Sequence, residues 1–172
     1  MKEKNQPIIQ INNLEQIGMV VENLEEAMES MWQTFGIGPW HVLIFTPKMI
    51  KENNHYGKPS KSGMKLAICQ MKNIQLELMQ PTGNEGIYHD FIKKYGNGIQ
   101  HVGWHKVKTE QDFFATKTKL ENAGMPCIWS GHLPQGRFAY FDTLKKLNTL
   151  LEIAWFEPNA TTKPNYIYPS LD

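Results

Sequence analysis

The chain has 172 residues, 41% of them hydrophobic and 20% charged, with a formal net charge of +1. That suffices for one well-filled core, and it is too even a balance for a basic nucleic-acid face or a polybasic membrane patch. No apolar run approaches the ~20 residues of a membrane helix, and the two cysteines, Cys69 and Cys127, lack the number and spacing of a disulfide framework. The opening stretch MKEKNQPIIQINN has no apolar core of the kind a secretory signal carries, so the cytoplasm is the expected compartment.

Residues 14–21 are the first strand-like run. VENLEEAMESMWQTFG follows with helical spacing, Asn23 placed as N-cap and Gly36 as the stop. A strand is expected over 40–46, then a polar stretch, 47–63, that shows no period and reads as a loop. Runs 64–71 and 74–80 face each other across a tight turn at Lys72-Asn73. A linker helix is expected over 86–96. The second half repeats the plan with a strand at 99–107 and a helix between Thr109 and Gly124. Strands at 126–129, 137–142 and 149–156 follow, the last two joined by a tight turn around Lys145-Lys146. The residues from 158 to 172 read as an extended surface tail. The order is βαβββ twice, which predicts an α+β fold of paired βαβββ modules, 14–81 and 98–157, forming one unit over 1–157.

Superposing the halves sets QIGMVVENLEEAM over HVGWHKVKTEQDF, with Gln16 on His101 and Gly18 on Gly103. At the end of each half LEL falls on LEI, which sets Glu77 on Glu152. The longer interval in the first half is accounted for by the 47–63 loop. Side chains alternate along a strand, so Ile17, Met19 and Val21 lie opposite Gln16, and Leu76 and Leu78 opposite Glu77. Val102 and Trp104 likewise oppose His101, and Leu151, Ile153 and Trp155 oppose Glu152. A single Glu in a strand ordinarily sits at an edge or faces water, and a single His ordinarily has a packing role. Four such residues at matching positions, with one parity, point instead to a shared face. Two carboxylates, an imidazole and an amide oxygen suit a borderline-to-hard divalent cation, and the absence of thiolates argues against a structural zinc site.

At these residues the chain resembles the vicinal oxygen chelate superfamily, which includes glyoxalase I, methylmalonyl-CoA epimerase, extradiol dioxygenases and bleomycin-resistance proteins. The resemblance spans about residues 14–157 and is carried by QIGMVVENLEEAM, IQLELMQPTG, GIQHVGWHKV and FAYFDTLKKLNTLLEIAWF. It implies a cupped mixed sheet with helices on the outer face. It also implies Gln16, Glu77, His101 and Glu152 as ligands of one divalent ion (Zn, Ni, Co or Mn), with Glu152 and Glu77 as catalytic carboxylates. Two departures bear on the substrate. Val20 and Pro81 stand where glyoxalase I carries its glutathione-binding Arg and Asn, and GKPSKSGMKL lacks the epimerase's additional acid.

The resemblance thus implies a lyase or isomerase that abstracts a proton beside a carbonyl of a small substrate with two adjacent oxygens. A homodimer without nucleic-acid or membrane partners is expected. The alternatives are a ligand-sequestering protein of the bleomycin-resistance kind and a ring-cleaving dioxygenase. Substrate contacts are expected from His105, Met79 and Phe156. For Trp40, beside His41, a place flanking the pocket and a place in the core are both open.

Overall fold

The computed structural model describes residues 6–104 and 107–170. In chain order the first half holds β1 (Gln16–Val20), α1 (Leu24–Phe35), β2 (Trp40–Phe45), β3 (Lys51–His55), β4 (Lys58–Pro59), β5 (Gly63–Gln70) and β6 (Gln75–Thr82). Helix α2 (Ile87–Tyr95) links it to β7 (Gly98–Trp104), α3 (Glu110–Asn122), β8 (Cys127–Leu133), β9 (Gly136–Phe141), α4 (Leu144–Leu147), β10 (Leu150–Phe156) and β11 (Tyr166–Tyr168). The helices begin and end where their capping chemistry dictates. The Asn23 side chain accepts from the Glu26 amide, and Gly36 closes α1 at φ 67° with its N–H on Met31 and Trp32 carbonyls. The Thr109 hydroxyl accepts from the Asp112 amide at the start of α3.

All the described strands form one mixed sheet in the order β11-β2-β5-β6-β1-β7-β10-β9-β8-β3-β4. Its middle is a pseudo-twofold seam where β1 and β7 pair antiparallel, with β6 parallel to β1 and β10 parallel to β7. The two βαβββ modules therefore meet edge to edge and continue into one another. Leu24 and Met28 of α1 pack with Trp40, Val42 and Leu78 on the outer face of the first module. Phe113 and Leu120 of α3 pack in the same way with Leu151 and Ile153 of the second. The concave side carries its own cluster, drawn from both modules and including Val20, Met79, Trp129, Phe138 and Tyr140. Helix α2 belongs to this inner cluster through Ile87 and Tyr88, and so differs from the outer-face helices that the resemblance implied.

Three stretches differ from their sequence-based expectation. The polar 47–63 stretch is a 3₁₀ turn (Pro47–Met49) and then the β3–β4 hairpin, and β3 pairs with β8, the outer strand of the other module. Its two-residue turn uses Tyr56 at φ 49° and Gly57 at φ 73°, the left-handed pair that a tight hairpin needs. An edge hairpin wetted on much of its surface has no need of apolar alternation, so periodicity did not mark it. The tail contributes β11, which pairs with β2, the outer strand of the first module. The first module thus lends a strand to the far edge of the second, and the tail that follows the second lends one to the far edge of the first. Residues 144–147 form a helical turn in place of a tight turn, closed by Asn148 in the left-handed region.

The β3 hairpin is fastened by one buried side chain. Asn53 donates to the Ser62 carbonyl at 2.9 Å and accepts from the Trp129 indole N–H at 2.8 Å. Asn53→Ala leaves both partners unpaired in a buried place, so the expected loss is about 2–4 kcal/mol of unfolding free energy, measured by urea denaturation. A loss below about half a kcal/mol would show that water replaces the amide there.

Candidate metal centre

The seam brings the polar residues together. Gly18 on β1 faces His101 on β7, and Gln16 faces Gly103. In the flanking parallel pairs Gly18 lies beside Glu77, and Gly103 beside Glu152. Each carboxylate therefore has a glycine for its strand neighbour. Space is what Gly18 supplies. A Cβ at that position would lie 1.9 Å from His101 Cε1 and 2.2 Å from Nε2, so the imidazole occupies the volume that any other residue 18 would fill.

A β-bulge completes the arrangement. Register shifts between Gly18 and Met19 because β7 carries Gln100 as an extra residue. Strict alternation would send Gln100 to the helix face and put Ile99 with His101. Instead Gln100 and His101 are both buried, Ile99 is exposed, and Gln100 Oε1 lies 3.0 Å from His101 Nδ1. The bulged Gln100 carbonyl accepts from the Thr149 hydroxyl at 2.9 Å. An amide oxygen only accepts, so Nδ1 carries a proton, and Nε2 is the ring atom turned toward the other polar residues.

Nε2 faces oxygens. Gln16 Oε1 lies 3.1 Å from Nε2, Glu152 Oε2 3.2 Å and Glu77 Oε2 3.6 Å. Gln16 holds its orientation by donating from Nε2 to Gln75 Oε1 at 2.8 Å, so its own oxygen is the atom presented. Ligand atoms of Glu77, His101 and Glu152 lie within 4.8 Å of one another. Two buried carboxylates brought this close to one another and to an imidazole and an amide oxygen favour a positive charge, a proton or a cation, among them. Two carboxylates, an imidazole and an amide oxygen fit a divalent cation in charge and in hardness. Burial, reinforced by the neighbouring Glu152 charge, pushes the Glu77 carboxyl well above the usual carboxylate range, against a hydrogen bond from Gln16 that pulls it back.

The cluster opens onto a cavity of about 520 Å³ whose floor includes Gln16, Gln75, Glu77 and Glu152. Its walls are largely apolar, with Leu43, Phe45, Leu66, Trp129 and Phe138 among them. Tyr88 and Tyr140 also line it, their hydroxyls 3.0 Å apart, and the Tyr140 ring stands edge-on to His101 at 4.9 Å. Burial and the two nearby glutamates hold both phenols well above their usual range, so they remain O–H donors.

Gln16, Glu77, His101 and Glu152 thus converge. Phe156 lines the cavity mouth, as does His41. Met79 is on the concave side but fully buried in the inner cluster, away from the cavity surface. Trp40 lies on the opposite face, buried against α1 with its indole N–H donating to the Ile37 carbonyl, which settles it as core. His105 is outside the described residues. Sequence reading missed Gln75, Gln100, Tyr88 and Tyr140. Of these only Tyr140 carried a usable signal, since it stands directly opposite Glu152 in the β9–β10 hairpin.

The sequence profile of the Glyoxalase/Bleomycin resistance protein/Dioxygenase superfamily matches residues 15–141. No curated protein matches the chain by sequence. Among solved structures, the methylmalonyl-CoA epimerase of Mycobacterium tuberculosis superposes with a TM-score of 0.63 at 18% identity, covering 87% of this chain and 94% of its own. A Streptomyces coelicolor methylmalonyl-CoA epimerase variant in complex with 2-nitronate-propionyl-CoA gives 0.65 at 14% identity, over 89% of this chain and 100% of its own. A hypothetical protein from Bacillus halodurans C-125 gives 0.61 at 19% identity, over 89% and 100%. At these identities the likeness is one of fold.

Gly18→Ala is expected to displace the His101 ring and weaken divalent-cation affinity about 10–100-fold, read by titration calorimetry with Mn or Zn. Unchanged affinity would show that the ring does not need this place. The raised Glu77 value gives a pH signature. In chelator-stripped protein the folded state keeps a proton that the unfolded chain releases near the ordinary value of 4.5. Stability then falls as pH rises from that value through the raised folded one. The gain in melting temperature on adding cation should grow over the same interval, and a gain that shrinks with pH would contradict the assignment.

Proposed function

This chain belongs to the glyoxalase/bleomycin resistance protein/dioxygenase superfamily, and on that footing we propose that it is a metal-dependent lyase or isomerase. The reaction is proton abstraction beside a carbonyl of a small substrate with two adjacent oxygens. The observation that carries this reading is the convergence of buried Glu77, His101 and Glu152 on one point at the floor of an apolar cavity. Gln16, Glu77, His101 and Glu152 would hold one divalent ion, Zn, Ni, Co or Mn, and when bound that ion supplies Lewis-acid polarisation of the substrate oxygens.

The remaining work falls to the chain itself. Glu152 lines the cavity and accepts the proton from the carbon; returning it to the adjacent carbon completes an isomerisation. Glu77, across the pseudo-twofold seam, is the second carboxylate able to carry a proton, and its raised affinity for one suits that task. The Tyr88–Tyr140 pair offers an O–H donor at the same wall, where charge developing on a substrate oxygen needs one. Apolar walls exclude water and so keep the abstracted proton on the carboxylate. Val20 and Pro81 supply no charge for glutathione, in keeping with a smaller substrate. The same reading takes the chain as a cytoplasmic homodimer.

The apolar wall favours one second reading, sequestration of a hydrophobic ligand without chemistry. Solvent exchange separates the two. Cation-loaded protein is expected to catalyse deuterium incorporation from D₂O into α-hydroxy or α-methyl carbonyl compounds. Glu152→Gln is expected to slow it about 10²–10⁴-fold, and His101→Ala to lose the cation by elemental analysis. Wild type that binds no divalent cation in excess would remove the enzyme reading and leave the binding protein.

A further inference from the structure

After Phe156 the chain returns across the mouth of the cup and is tied down on both modules. On the second module Glu157 N donates to the Gln135 carbonyl at 2.9 Å. Gln135 Nε2 donates to the Thr161 carbonyl at 3.2 Å, and the Thr162 hydroxyl donates to Gln135 Oε1 at 3.2 Å. On the first module the Asn165 amide donates to the Val42 carbonyl at 2.8 Å, and its side-chain oxygen accepts from the Ile44 amide at 2.9 Å. Between these anchors Ala160, Thr161, Thr162 and Lys163 line the same cavity that has Gln16, Glu77 and Glu152 at its floor.

Among the described residues lining that cavity, Lys163 is the one Lys or Arg. It makes no ion pair with any described carboxylate. The floor carboxylates together with a divalent cation carry no net charge, and the walls between are apolar. The ammonium on the strap is then the uncompensated charge that a bound molecule meets. We propose that Lys163 recognises an anionic group on the substrate, a carboxylate or a phosphate, at the end remote from the two oxygens that face the metal centre. The substrate class is therefore a compact acid with an apolar middle, and the strap is the element that selects it. This orientation of the ligand rests on the metal-centre reading above.

The test compares three α-keto acids that share one chelating end. α-Ketoadipate ends in a carboxylate, α-ketocaproate has a methyl in its place, and δ-phosphono-α-ketovalerate ends in a phosphonate. Affinities are measured by titration calorimetry on cation-loaded wild type, Lys163→Gln and Lys163→Glu. The wild type is expected to prefer an anionic probe to α-ketocaproate, and which of the two it prefers more distinguishes carboxylate from phosphate. Lys163→Gln should cut that preference about fivefold, the scale of one exposed charge pair, without altering the α-ketocaproate affinity. Lys163→Glu should reverse it. An equal preference in wild type and Lys163→Gln overturns the proposal, as does failure of all three probes to bind. Bound cation is quantified in the same samples. A charge preference that depends on Lys163 in protein that holds no cation keeps this subsite and removes the metal reading. Cation loading with no such dependence does the reverse.

Discussion

The imidazole of His101 lies across the backbone of β1 at Gly18, and the rest of the site depends on that contact. A side chain at residue 18 would push the ring off the seam, and with it the point on which Glu77 and Glu152 converge. The bulge at Gln100 is the complementary device on the other strand. It lets two consecutive residues of β7 be buried, so the ring and the amide that orients it come from neighbouring positions. Each glutamate stands beside a glycine on the seam strand next to it, and the repeat preserves that relation in both halves. A polar cluster split evenly between two modules is thus set by backbone register, with little asked of side-chain packing.

Electrostatics make the site costly for the fold. Two carboxylates buried together resist ionising together, and burial adds to the cost of their charge. The inner apolar cluster that lowers the local dielectric is the same cluster that shapes the cavity. Burial therefore raises the cost of negative charge at the site and strengthens the attraction of its carboxylates for positive charge. The phenols of Tyr88 and Tyr140 come under the same field, which keeps their protons in place.

Much of this was legible in the sequence, for reasons tied to particular residues. Asn23 and Thr109 are caps whose chemistry acts locally, so the starts of α1 and α3 followed from them. The pairing of LEL with LEI and the parity of Gln16, Glu77, His101 and Glu152 survived because strand alternation held around Gln16, Glu77 and Glu152 and on the C-terminal side of His101. Where alternation broke, at Gln100 and Ile99, sequence reading had nothing to register, since a bulge is a tertiary adjustment between two strands. Trp40 needed knowledge of which face α1 covers, and the two sides of its strand are both apolar enough to conceal the answer. The β3 hairpin and β11 escaped notice for a further reason. Their partners lie in the opposite half of the chain, and no local pattern encodes a pairing at that distance.

The exchange of edge strands between the modules has a kinetic side. β11 is three residues long, and it closes a loop between positions 42 and 166. A ladder of three residues at the sheet edge carries little stability of its own, while the β1–β7 seam sits at the centre of the sheet. Local unfolding of the tail is therefore cheaper than any separation of the modules. Molecules can exchange with the interior by the fraying of a few terminal hydrogen bonds, and the geometry at Gly18 and His101 stays untouched throughout.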